Sequence, residues 1–246
     1  AVETTIKGCL TNGGQICTAH TRLIAQEGIK DDLLKKLKNV FEKIPYCRDP
    51  ITERERGDRA WEAGMTDVIQ PLVSASQHEK ILDFLNEAKA AGIEFYTGGS
   101  VPGPADVGNS SGYFIQPTIL TNVPRDSDAW QKEIFGPVLS VRSFSSEAEA
   151  ITEANSTAFG LASTVMSSDP AKAMRIANRI RAGAVFATST GEGLLAEHPA
   201  VSRGGFGCSG VGRELGIGGL HEYAGLKSVN YSGFSIAEAK ENSNHS

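Results

Sequence analysis

The sequence lacks any dense face of one charge. Its 24 basic and 29 acidic residues are spread along 246 positions, for a formal net charge of −5. Nucleic acid and anionic membrane are therefore poor partners for it. No apolar run approaches the ~18–20 residues of a membrane-spanning helix. The opening residues, "AVETTIKGCL", have neither a basic stretch nor an apolar core, so no signal peptide is expected. Cysteine is scarce: Cys9, Cys17, Cys47 and Cys208 lie far apart with no paired spacing. In a chain without a secretion signal, free thiols are the expectation. The motifs GxxxxGK[ST] and HExxH are missing, and there is no internal repeat.

The 40% hydrophobic share is enough for one large domain or two modest ones. Ala1 to Leu10 reads as the end of a helix and Thr21–Glu27 as a strand. From Asp31 and Asp32, "LLKKLKNVFEKI" repeats its apolar residues at helical steps. A second helix is predicted from Ser76 to Ala91, stopped by Gly92 and followed by strand "IEFYT". "YFIQPTILTNV" and "PVLSVRSF" read as strands. "SSEAEAITEAN" opens with a capping-box pattern, Ser146 to Glu149. Strand "LASTVMS", helix "DPAKAMRIANRIRAG" and strand "AVFAT" complete the alternation, which points to an α/β fold with a largely parallel sheet. Residues 51–69 and 188–212 interrupt it as long connections, and the residues after Gly233 form a polar tail expected to fray.

Several residues could carry chemistry. In "TNGGQICTAH", Gly13 and Gly14 permit a sharp turn that could present the Cys17 thiol beside bare backbone amides, as a nucleophile requires. On this chemistry alone the commoner fate of such a cysteine, a small buried hydrophobe, outweighs the nucleophile. In "KEIFGPVLSV", Glu133 could accept hydrogen bonds from sugar hydroxyls beside the flat ring of Phe135, or could be a surface acid before an apolar strand. Gly205, Gly207 and Gly210 spell a formal G-x-G-x-x-G. They follow "EHPAVSR", which is no strand, so a flexible loop is expected there rather than a phosphate cradle. Cys17 and His20 together do not make a metal site.

The ordered segments "NGGQICTAHTRL", "GYFIQPTILTNV", "EIFGPVLSV", "FGLASTVMS" and "SGVGRELGIGGL" carry a family resemblance. Over about residues 1 to 230 the chain resembles the C-terminal half of an NAD(P)-dependent aldehyde dehydrogenase. The betaine-aldehyde and aminoaldehyde branch is the most similar. The resemblance implies the catalytic domain of that family, with a largely parallel sheet flanked by helices and the Rossmann cofactor domain missing from this chain. Residues 1–222 would form the catalytic domain and residues 223–246 an oligomerisation strand, "LKSVNYS", with a polar tail.

For the site, the resemblance implies that Cys17 is the nucleophile, adding to an aldehyde to give a thiohemiacetal and then a thioester. Glu133 would hold the nicotinamide ribose, Phe135 would lie beside it, and Gln77 would make a weaker cofactor contact. The stretch from Thr188 to Arg203 would line the aldehyde tunnel. NAD or NADP is the implied cofactor, an aldehyde the implied small-molecule partner, and a homo-oligomer or larger assembly the implied state. The family's general-base glutamate and its oxyanion-hole asparagine lie upstream of the sixteen residues that precede Cys17, and Glu3 does not match that base. Tight cofactor binding by this chain alone is therefore not expected. The other reading is a non-catalytic relative serving as a structural or assembly subunit. The Gly-rich signature here has Gly207 where the family has lysine, and the substrate stretch runs several residues long.

Overall fold

The computed structural model describes residues 1–47, 68–108, 110–190 and 199–232. The long connection at 51–69 falls almost wholly outside them, as do part of the substrate stretch and the tail after 232.

Helix α1 (Val2–Leu10) leads through a short 3-10 turn and an irregular stretch into strand β1 (Arg22–Gln26). Helix α2 (Glu27–Phe41) follows without a loop, beginning four residues before the Asp31–Asp32 pair. Its first turn carries Glu27 and its last Lys38, each charge complementing the helix dipole. Leu33, Leu34, Leu37 and Phe41 form its buried stripe. Helix α3 (Ala75–Ala90) is capped by Ser74, whose Oγ accepts the Gln77 N–H at 3.2 Å.

Strand β2 (Glu94–Thr97), the short helix α4 (Pro104–Val107) and strand β3 (Thr118–Thr121) come next. Only four residues of "YFIQPTILTNV" make the strand, because Pro117 cannot donate to a ladder and the run before it pairs only through an isolated bridge, Tyr113 with Leu72. A short helix α5 (Asp128–Gln131) precedes strand β4 (Val138–Phe144). Helix α6 (Glu147–Ala154) has the expected Ser146 cap, but Glu149 reaches back to the Ser145 N–H at 2.8 Å instead of the Ser146 N–H. Strand β5 (Ala162–Met166), helix α7 (Pro170–Ala177) and strand β6 (Ala184–Thr188) follow, then helix α8 (Gly216–His221). Helix α7 stops well short of Gly183. The Asn155 side chain binds the Arg179 carbonyl at 2.9 Å and the Arg181 N–H at 2.7 Å, holding that stretch out of the helix.

The main sheet has the order β1-β4-β3-β2, with β1, β4 and β3 parallel and β2 antiparallel at the edge. Alternate residues serve two opposite cores. Ile119, Leu139 and Val141 pack with α1 and α2, whereas Leu120 and Val138 pack with α3 and α5. Helices thus flank a largely parallel sheet, as the sequence predicts. The alternation does not extend that sheet: β5 and β6 pair in parallel as a separate two-stranded sheet.

One buried charge organises the region around α5. Glu153 is 2% exposed and its carboxylate is paired with both Arg125 and Arg142, the latter through Nε at 2.8 Å. Arg142 and Arg22 lie over the Trp130 ring at 5.5 and 5.0 Å. Trp130 Nε1 donates to Ser156 Oγ at 3.0 Å, and Gln131 Nε2 donates to the Ser156 carbonyl at 2.8 Å. Helix α5, which leads directly into Glu133, is thereby fastened to the end of α6.

Leu226–Ser232, read in sequence as an edge strand, belongs to no strand of this chain and is exposed along its length.

Candidate active site

Three consecutive residues past α1 lie in the left-handed region: Asn12 (φ 54°), Gly13 (φ 63°) and Gly14 (φ 75°). Such a run suits glycine and tolerates asparagine, which explains the local "NGG". Asn12 and Gln15 brace it with reciprocal side chain–backbone bonds of 3.1 Å. The chain then folds into a turn closed by the Ala19 N–H on the Ile16 carbonyl at 2.9 Å, with Cys17 second in that turn. Cys17 is exposed, and its own N–H donates no hydrogen bond among the described residues.

This turn is held against two others. A Cβ at Gly14 would overlap the Gly136 carbonyl, so the two backbones touch directly. Gln15 accepts the Val73 N–H at 2.9 Å through Oε1 and donates to the Pro71 carbonyl at 3.3 Å through Nε2, tying the turn to the approach to α3. From the first turn of α3, Gln77 Nε2 donates to the Phe135 carbonyl at 3.0 Å and the Ile134 carbonyl at 3.4 Å. Phe135 itself sits at φ 59°, a conformation that a bulky residue adopts only when its surroundings impose it. Glu133 is exposed, and its carboxylate has no hydrogen bond or ion pair among the described residues.

The structure therefore gathers the four singled-out residues around one junction of turns. Cys17 comes from the first turn, Gln77 from the second, and Glu133 and Phe135 from the third. Gln77 meets the Phe135 loop by its side chain rather than standing free. Sequence reasoning missed Gln15; the signal was an amide, able to donate and accept at once, placed between a glycine turn and the thiol.

The remaining cysteines separate cleanly. Burial pushes the Cys9 thiol up to about 12, which makes it inert, and Cys47 is also buried. Among the described residues no three His, Cys, Asp or Glu side chains gather as a metal site, and no helix is long and apolar enough to cross a membrane.

The Gly-rich segment corrects the expectation of a flexible loop. The Phe206 N–H binds the Gly160 carbonyl and the Cys208 N–H binds the Ala158 carbonyl, both at 2.9 Å. A Cβ at Gly183 would overlap the Gly204 carbonyl, and one at Gly207 (φ 60°) the Ala158 carbonyl. These glycines serve close backbone packing, and no phosphate cradle forms. At Gly207 the lysine of the family pattern would meet both left-handed strain and that carbonyl.

A profile of the aldehyde dehydrogenase family matches residues 1–229. The chain belongs to the aldehyde dehydrogenase family. It is 37% identical over 227 residues to the peroxisomal aminoaldehyde dehydrogenase 1 of Pisum sativum, covering 92% of this chain and 41% of that protein. Identity to the chloroplastic betaine aldehyde dehydrogenase of Beta vulgaris is 37% over 228 residues, 93% of this chain and 41% of the relative. Among solved aldehyde dehydrogenases, a point mutant of the Staphylococcus aureus betaine aldehyde dehydrogenase, in complex with NAD+ and with a BME-modified cysteine, superposes with a TM-score of 0.78. It is 32% identical and the match covers 90% of this chain and 41% of that one. An NAD+ complex of the Bacillus cereus aldehyde dehydrogenase gives a TM-score of 0.76 at 29% identity, over 93% and 42% of the two chains. The chain thus spans about two fifths of the length of the family members it matches.

Proposed function

We propose that this chain supplies the nucleophile and the nicotinamide-side contacts for oxidation of an aldehyde to a carboxylic acid. The observation that carries the reading is the exposed Cys17 with an unengaged N–H, on a turn locked through Gly14 and Gly136 to the Glu133–Phe135 turn. Names of relatives favour a betaine-aldehyde or aminoaldehyde as the substrate class. We take residues 1–222 as the domain that carries this chemistry.

Cys17 as thiolate adds to the aldehyde carbon, forming a C–S bond and leaving an oxyanion that the Cys17 N–H can meet. This carbon must then lose a hydride, for which NAD or NADP would be the acceptor when bound. Cys17 then carries a thioester; water breaks the C–S bond, giving the acid and restoring the thiol. The free Glu133 carboxylate suits a pair of ribose hydroxyls, and the Gln77 bonds hold Phe135 where its ring can flank the sugar and nicotinamide. These contacts grip one end of the cofactor only, so NAD+ binding to this chain measured by calorimetry should be weaker than micromolar.

The test is hydrolysis of an activated ester such as p-nitrophenyl acetate. Cys17→Ala should lower the rate by roughly tenfold or more, because the covalent route is removed. An unchanged rate would sink the nucleophile reading and favour a structural role for the chain.

Assembly is proposed through Leu226–Ser232. Its alternating apolar and polar residues are exposed, Leu226, Val229 and Tyr231 among them, and β5 and β6 each have one strand neighbour among the described residues. Light scattering should show a dimer or larger species; a monomer at all concentrations would contradict this.

A further inference from the structure

His20, in the "QICTAH" stretch, has no role in the reading above. Its ring is largely buried, and burial pulls its pKa below the usual imidazole value, with the Thr18 backbone opposing more weakly. The imidazole is therefore neutral near pH 7. Nε2 shares a hydrogen bond of 2.9 Å with Thr164 Oγ1, in the middle of β5. The His20 N–H donates to the Gly8 carbonyl at 2.7 Å, inside α1. Gly8 has no side chain, and a Cβ there would lie 3.0 Å from His20 Cβ, so the ring occupies space that only glycine leaves open.

His20 thus joins three elements at one point: the helix before the thiol, the segment carrying the thiol, and the second sheet. It stands one residue after Ala19, whose N–H closes the Cys17 turn. The entry to that turn is fixed independently by Gly14 and Gln15. Fixing both ends sets the direction in which the Cys17 N–H points. Acyl chemistry depends on that direction, since a misaimed amide cannot meet the developing oxyanion.

We propose that His20 and Thr164 are a positioning pair for Cys17, aiming its backbone amide through the closing end of the turn. The proposal rests on Cys17 being the nucleophile. Its action goes through the backbone, so it predicts a split between two reactions of the same sulfur. Acylation by p-nitrophenyl acetate passes through an oxyanion and needs the amide. Alkylation by iodoacetamide displaces iodide at a saturated carbon and does not.

The experiment compares both rates at Cys17 in the full chain, with the exposed Cys208 replaced by serine. His20→Ala and Thr164→Val should each slow acylation by about fivefold or more while alkylation stays within about twofold. The double variant should be no slower than the slower single one, because both remove the same bond. His20→Gln, which keeps a donor of similar reach, should recover most of the acylation rate. Thr164→Val conserves volume and decides the matter if His20→Ala does not fold. Unchanged acylation in a folded variant, parallel changes in both rates, or no recovery with glutamine each overturns the pair. Failure of the nucleophile reading looks different: Cys17→Ala would then leave the parent chain's ester hydrolysis intact.

Discussion

Glu153→Ala should lower the stability of the chain by about 3 kcal/mol, because it removes a buried carboxylate and leaves the mostly enclosed Arg142 guanidinium without its partner. Glu153 is 2% exposed, and Arg142 is mostly enclosed beside it. The Arg125 side chain is about half exposed, so its share of the loss is smaller. In thermal unfolding this corresponds to a fall in Tm of roughly 10 °C for a chain of this size. Burial pushes the Glu153 carboxyl upward, but hydrogen bonds from Arg125 and Arg142 outweigh it and hold the pKa below the usual range. A carboxyl depressed in the folded state stabilises above the unfolded-state value and loses that contribution as the pH falls through the folded value. The gap between parent and variant should therefore be full at pH 7 and shrink below about pH 4. A gap that is constant with pH would mean that the loss comes from packing rather than from charge.

Gly14→Ala should be nearly as damaging to the fold and more damaging to the site. At φ 75° an alanine carries about 1–2 kcal/mol of left-handed strain. Its Cβ would also overlap the Gly136 carbonyl, a backbone group that cannot swing aside as a side chain can. Overpacking of that kind adds about 1–3 kcal/mol, for a total near 3 kcal/mol. Relief requires the Cys17 turn to separate from the Phe135 loop, so ester hydrolysis should fall along with Tm. Gly28→Ala is the control. No atom lies within 4 Å of its Cβ position, in the first turn of α2, and the exchange should leave the protein equally or slightly more stable by about 0.5 kcal/mol. Equal losses at both positions would refute the idea that contact with Gly136 is what matters at Gly14.

The elements that the sequence reveals best are those decided by local chemistry. Ser146 caps its helix by its own side chain, and the stripe Leu33–Leu34–Leu37–Phe41 is a periodicity of nearest neighbours. The turn at Gly13–Gly14 is legible for the same reason. What escapes is set by partners far away in the chain. Helix α7 ends where Asn155 intervenes, Gly207 is tight because the Ala158 carbonyl presses on it, and Gly183 is tight against the Gly204 carbonyl. The splitting of β5 and β6 into a second sheet is also a long-range outcome, since either strand alone reads like any other. In the site, Cys17, Glu133 and Phe135 stand out by residue type. The braces Gln15 and His20 do not, because their bonds reach 56 and 144 residues along the sequence.

Trp130 gives the charge cluster around Glu153 an optical label of its own. The indole is 1% exposed and packs against two guanidinium groups, a setting to which its emission is sensitive. The only other tryptophan is Trp61. With Trp61 exchanged for phenylalanine, all indole fluorescence would originate four residues ahead of Ile134, on the short helix that leads into the Glu133–Phe135 turn. Changes in that light would follow the mooring of the turn directly, without a dye, a substrate or a cofactor.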